Sequence, residues 1–171
     1  MRFELHSNST NEQDIIYVNI VDDDGKIIGH TRIQSVTYSS RAHLEEQMRN
    51  VHKTTRKACI EAARLIEAPG KIAYVGIIEL DYRERGKGYG PKVLQCVPQI
   101  CKQFGLPTPD VICAYILPNG HKLDIQTYQN QLLSNREWRK MCRTMHKTFQ
   151  RAGFKRSNFW TQQVVTKVVQ K

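Results

Sequence analysis

Between Arg83 and Lys92 the chain reads R-E-R-G-K-G-Y-G-P-K, residue types and a spacing suited to holding an anion. Gly86, Gly88 and Gly90 fall at every second position, leave backbone N–H groups unobstructed and accept φ angles that other residues avoid. Arg83, Arg85, Lys87 and Lys92 surround them with positive charge, and the segment behind has helical periodicity, which would add the positive end of a dipole. The occupant this chemistry suits is a phosphate-bearing cofactor. A P-loop requires G-x-x-x-x-G-K-[ST], but Lys87 is followed by Gly88, so no hydroxyl is placed to hold magnesium. A dinucleotide fingerprint requires G-x-G-x-x-G with an acidic residue about 20 positions on, and this turn reads G-x-G-x-G without one. The plain alternative is a tight strand-to-helix connection that binds nothing.

What remains is R-x-x-G-x-G, met by Arg85, Gly88 and Gly90, which resembles the pyrophosphate-binding signature of the GNAT superfamily of acyl-CoA-dependent N-acetyltransferases. Ile78, Leu80, Arg85, Gly86, Gly88, Tyr89, Gly90, Val93 and Leu94 fall where that family places strand, cradle and helix, and Ala152-Gly153-Phe154 resembles the Gly-Phe after its last helix. The resemblance covers about half the chain, Lys71 to Phe154. It implies an α/β (α+β) fold with a mixed, mostly antiparallel sheet, splayed central strands and flanking helices, and acetyl-CoA as donor. It further implies that amides of Arg85 to Gly90, with Lys87, Tyr89 and Lys92 beside them, hold the pyrophosphate. A strand amide at Leu80 or Asp81 would polarise the thioester carbonyl, and Asn119 would meet the pantetheine arm.

Glu79 interrupts the apolar run before the turn, where a carboxylate could take a proton from the attacking amine, directly or through water. Its alternative is a strand-end residue paired with Arg83 or Arg85, and the family's own glutamate often lies further back, near Tyr74. The family's proton donor to the leaving thiolate is a Tyr four residues before the Gly of Gly-Phe. Phe149 stands there, and a phenyl ring donates no proton. His146, one turn earlier, is a substitute donor or a plain surface histidine; Tyr89, Tyr115 and Tyr128 also remain open. Without a working donor, the second reading is a catalytically inactive module that binds nucleic acid or a protein.

The elements that must position these residues follow from the rest of the pattern. At 171 residues one domain suffices to bury a core, and five cysteines, odd in number and without a C-x-x-C pair, suit reduced thiols in a soluble cytosolic protein. No zinc or other metal site is expected, and no apolar run approaches the ~20 residues of a membrane span. Asp22-Asp23-Asp24-Gly25 between two β-rich runs predicts a hairpin, and the three aspartates read as turn residues because a calcium loop's other oxygen ligands are missing. One long helix is expected from Ser39 or Ser40 to about Glu67, with a stripe at Leu44, Met48, Val51, Thr55, Ala58, Ala62 and Leu65 that faces the sheet or, less commonly, a second copy of the chain. That single helix departs from the two short ones the resemblance implies.

Lys71–Leu80 and Val111–Leu117 read as buried strands, and Pro91–Gln103 as a helix bent at Pro98. The polar stretch His121–Asn135 is expected on the substrate side. A last helix, Arg136 to Ala152, precedes a strand or strand pair within Asn158–Val169. The formal charge is +10, with 26 Lys and Arg against 16 Asp and Glu. Arg136, Arg139, Lys140, Arg143, Lys147 and Arg151 share one face of the last helix, so RNA or an acidic protein surface is the expected partner, against a bland solvated face.

Overall fold

The computed structural model describes residues 1–6, 14–116, 135–156 and 163–169, without the side chains of 135–139 and 141. Seven strands, β1 (Arg2–Leu5), β2 (Ile15–Val21), β3 (Ile27–Tyr38), β4 (Gly70–Leu80), β5 (Val111–Tyr115), β6 (Lys155–Arg156) and β7 (Val164–Val168), form one sheet in the order β1-β2-β3-β4-β5-β7-β6. Every neighbouring pair is antiparallel except β4 and β5, so the chain has the mixed, mostly antiparallel sheet expected. The hairpin between β2 and β3 turns at Gly25, φ +83°. The Asp22 carboxylate accepts from the N–H groups of Asp24 and Lys26, and Asp23 pairs with the Met1 ammonium, so these aspartates serve the turn.

Among the described residues, five helices flank the sheet: α1 (Arg41–Gln47), α2 (Lys53–Ala63), α3 (Tyr89–Gln95), α4 (Val97–Gln103) and α5 (Asn135–Arg151). The single long helix expected after the hairpin is two. Ser40 caps α1, Met48 ends it, and the His52 ring accepts from the Thr54 N–H to start α2. The break lets α1 pack on the end of β3 while α2 crosses β4, β5 and β7, which one straight rod could not do against a twisted sheet. Most of the sequence stripe is spent there: Leu44, Met48, Ala58 and Ala62 are buried with Val36, Ile72 and Val111, but Leu65 lies past the end of α2 and is exposed. The second expected helix also divides, at Cys96. Pro98 lacks an N–H and its ring would strike the carbonyl of Leu94 in a continuous helix, so it takes the first turn of α4 instead.

The opposite face of the sheet packs against α3, α4 and α5, where Ile33, Val75, Ile112 and Ala114 meet Leu94, Ile100 and Phe149. Ile72 and Tyr74 face one layer while Ala73 and Val75 face the other, which is why β4 reads as a continuous apolar run. Burial pushes the Cys101 thiol up to about 12 and raises those of Cys96, Cys113 and Cys142, so none of these four is a ready thiolate nucleophile at neutral pH. Among the described residues, no helix is long and apolar enough to cross a membrane.

Candidate active site

β4 and β5 pair only over Ile72–Tyr74 and Val111–Cys113. Beyond Tyr74, β4 continues to Leu80 with β3 alone, while β5 continues to Tyr115 with β7 alone. The two central strands therefore part, and burial records it: Ile72 to Val75 are buried, whereas Gly76, Ile77, Ile78 and Leu80 are half-buried although they lie mid-sheet. The register between β3 and β4 slips at the same place. Arg32 faces Ile77 and Ile33 faces Val75, leaving Gly76 as the extra residue of a bulge.

Backbone direction separates the two amides that the sequence leaves as equals. The Asp81 N–H donates to the Ile28 carbonyl at 2.9 Å and is spent on the β3 side. Antiparallel alternation then turns the Leu80 N–H and C=O to the open side, where the Leu80 carbonyl accepts from Arg85 Nε at 3.1 Å. Arg85 thus braces the strand end, with its guanidinium 6.0 Å from the centre of the exposed Tyr82 ring.

A single 3-10 turn, Tyr82–Glu84, joins β4 to the glycines. Gly86 and Gly88 have φ of +82° and +87°, and nothing lies within 4 Å of where a Cβ would stand, so both are glycine for conformation. Gly90 is glycine for another reason: a Cβ there would sit 3.1 Å from Thr148 Cγ2, where α3 meets α5. Lys87 donates to the largely buried carboxylate of Glu84 at 2.9 Å, a hydrogen bond that holds its ammonium above the usual lysine range. Tyr89 packs against the small cluster of Ile20, Ile28 and Val93, with Lys92 Nζ 6.0 Å from its ring centre.

Glu79 pairs with neither Arg83 nor Arg85. Its carboxylate lies 3.5 Å from Nε2 of His30, which faces it across β3, and both side chains are partly open to solvent. His30 was not legible as a site residue because its only signal is the β3–β4 register. Tyr74, where the family's glutamate often lies, is buried on the α2 side. Burial pushes its hydroxyl above the ordinary 10, against hydrogen bonds from Thr55 and Thr54, so it stays protonated at neutral pH and takes no proton. The plain-surface alternative for His146 is removed by its 5% exposure; it lies on the inner side of α5, where Phe149 meets Phe154 edge-on with ring centres 5.2 Å apart.

On the outer side of α5, Lys140, Arg143, Lys147 and Arg151 are exposed and fall along one face. The side chains of Arg136 and Arg139 lie outside the described residues, as do Asn119, Tyr128 and most of the stretch expected on the substrate side.

No family model matches the chain, and no curated protein matches it. Solved structures similar to it include Arabidopsis thaliana NAA60 in complex with acetyl-CoA, at 12% identity and TM-score 0.49, over 95% of this chain and 81% of that one. Arylalkylamine N-acetyltransferase 2 from Aedes aegypti matches at 13% identity and TM-score 0.44, over 90% and 73%. A tetramutant of the BH1408 protein from Bacillus halodurans matches at 13% identity and TM-score 0.37, over 73% of this chain and 64% of that one, less than two thirds of its length.

Proposed function

We propose that this chain is an acyl-CoA-dependent N-acyltransferase of the GNAT type, with acetyl-CoA as donor. The observation that carries the reading is the parting of β4 from β5 after Tyr74, on the strand that leads straight into R-x-x-G-x-G. A slot in mid-sheet, with unpaired strand edges and an anion cradle at its mouth, suits a long, thin cofactor with a pyrophosphate; a connection that bound nothing would have no use for it. The residues fit that group. Backbone amides of Gly86 to Gly90 hold the pyrophosphate, the Arg85 N–H being spent on the Tyr82 carbonyl at 3.3 Å, while Lys87 and Lys92 add charge at the rim and the Leu80 N–H faces the slot as a donor to an acyl oxygen. Acetyl-CoA supplies an activated thioester when bound. Glu79 takes the proton from the acceptor amine, and His146 is the proton donor in place of the absent tyrosine.

A thermal-shift titration tests the reading together with coenzyme A release. Acetyl-CoA at about 100 times its Kd adds roughly 2.7 kcal/mol to the native state, a rise of about 5–10 °C for a domain of this size. Amine-dependent thiol release then separates an enzyme from a module that only binds. No shift at millimolar acetyl-CoA would sink both.

The exposed basic stripe of α5 is proposed as a surface for RNA, with an acidic protein as the other outcome. Each phosphate neutralised releases condensed counterions, so RNA affinity is expected to fall steeply with salt. Lys140→Ala with Lys147→Ala should flatten the slope of log K against log salt by about 1.4 to 1.8, without changing acetyl-CoA binding. Binding that ignores salt would leave the stripe a solvated face.

A further inference from the structure

The bulge at Gly76 seats the guanidinium of Arg32. Arg32 lies across from Ile77 on one side and Tyr17 on the other, with its guanidinium 5.9 Å from the centre of the Tyr17 ring. A Cβ on Gly76 would come within 3.0 Å of Arg32 Nη1, so the guanidinium lies directly over the backbone where β4 leaves β5. Tyr74, whose ring edge would be 3.4 Å from the same Cβ, marks this as the α2 side of the sheet, opposite the layer of α3 to α5. Beyond the span that α1 and α2 cover, this side carries His30, Arg32 and Glu79.

The charge is poorly matched among the described residues. Arg32 Nε is sealed from solvent with no hydrogen-bond partner, and Arg32 forms no ion pair. Glu79, the next carboxylate along the same face, is engaged by His30. A buried donor left unpaired costs about 1–3 kcal/mol, and an apolar side chain would fill the place without that cost. Neither Nη atom is among the buried, unpartnered polar atoms and Arg32 is only half-buried, so the planar fork keeps some exposure above the backbone at Gly76. Such a fork matches the paired oxygens of a carboxylate or phosphate.

We infer that Arg32 is an oxyanion subsite, and that the acceptor is an amine which also carries a carboxylate or a phosphate. This rests on the acyltransferase reading and names its substrate class. Arg32 and His30 are two residues apart on one strand, about 7 Å. An acceptor anchored by its oxyanion at Arg32 therefore presents its amine a short chain away, beside Glu79. Arg32 is a specificity residue in this arrangement and handles no proton.

Matched amines test the assignment on the full chain: tyramine against tyrosine, histamine against histidine, and ethanolamine against O-phosphoethanolamine, each with acetyl-CoA. One charge-assisted hydrogen bond corresponds to roughly 10- to 100-fold, so the preferred oxyanion-bearing member should show a kcat/KM higher by that factor, mostly through KM. The carboxylate and phosphate pairs show which oxyanion is meant. Arg32→Gln should collapse the ratio towards one, Arg32→Lys should keep part of it, and Gly76→Ala should lower it by displacing the guanidinium while keeping its charge. Equal rates within every pair, or an Arg32→Gln protein that keeps the preference, overturn the subsite.

If no amine is turned over, the acyltransferase reading fails, and a second readout still decides the subsite. The sealed Nε–H of Arg32 should give a distinct resonance in 15N-labelled protein, assigned by its loss in Arg32→Gln. Saturable movement of that resonance with glycine or O-phosphoethanolamine supports the subsite. No movement at tens of millimolar overturns it.

Discussion

Gly88→Val is expected to abolish acetyl-CoA binding in a calorimetric titration and to lower stability by about 1–2 kcal/mol or more. Gly88 stands at φ +87° at the start of α3, and a β-branched residue cannot rest there. The space around it is open, so the cost comes from the backbone and not from collision. Relief requires the turn to rotate, which carries the amides of Gly86 to Gly90 away from a common centre. Gly90→Ala is the comparison, because its methyl would press on Thr148 Cγ2 at 3.1 Å and loosen α3 against α5 while leaving the turn intact. It should lose stability but keep most of its affinity. If Gly88→Val bound acetyl-CoA as the wild type does, the cradle would have to lie elsewhere.

Glu79→Gln is expected to reduce kcat by roughly 10²- to 10⁴-fold, the usual contribution of a positioned general base, with acetyl-CoA affinity nearly unchanged. The amide keeps the shape and the approach to His30 but takes no proton. Tyr74 offers no substitute at neutral pH, since burial holds its hydroxyl above the ordinary range. Steady-state rates at saturating acetyl-CoA, beside a binding isotherm, separate the two effects. An unchanged kcat would move the base to water or to another side chain and return Glu79 to the role of a partner for His30.

Much of the fold was legible because local patterns carried it. The Asp-Gly turn between two β-rich runs demanded a hairpin, and the chain forms it with Gly25 at positive φ. The apolar run before the glycines demanded a strand covered on both faces, and β4 alternates Ile72 and Tyr74 into one layer with Ala73 and Val75 into the other. The first long helix was misjudged: apolar spacing continued through residues 48 to 52, so periodicity gave no reason to stop, whereas the need to follow a twisted sheet broke it. The break in the second was legible in Pro98, whose missing N–H ends one helix at Cys96 and starts the next.

The glycines and charges of the turn were determined by the sequence alone, because φ above zero and fixed positive charge are properties of residue type. Tertiary structure decided what those residues are near. The alternative for Glu79, a pairing with Arg83 or Arg85, rested on proximity along the chain, but the β3–β4 register set it against His30, 49 positions earlier. Gly90 looked like its neighbours and turned out to be a point of close approach between α3 and α5. Arg32 carried no signal in its own strand, since an arginine among alternating residues reads as a solvated one. Only the bulge at Gly76 and the parting of β4 from β5 place it over the slot with its Nε sealed, and both are agreements between strands that no single stretch of chain encodes.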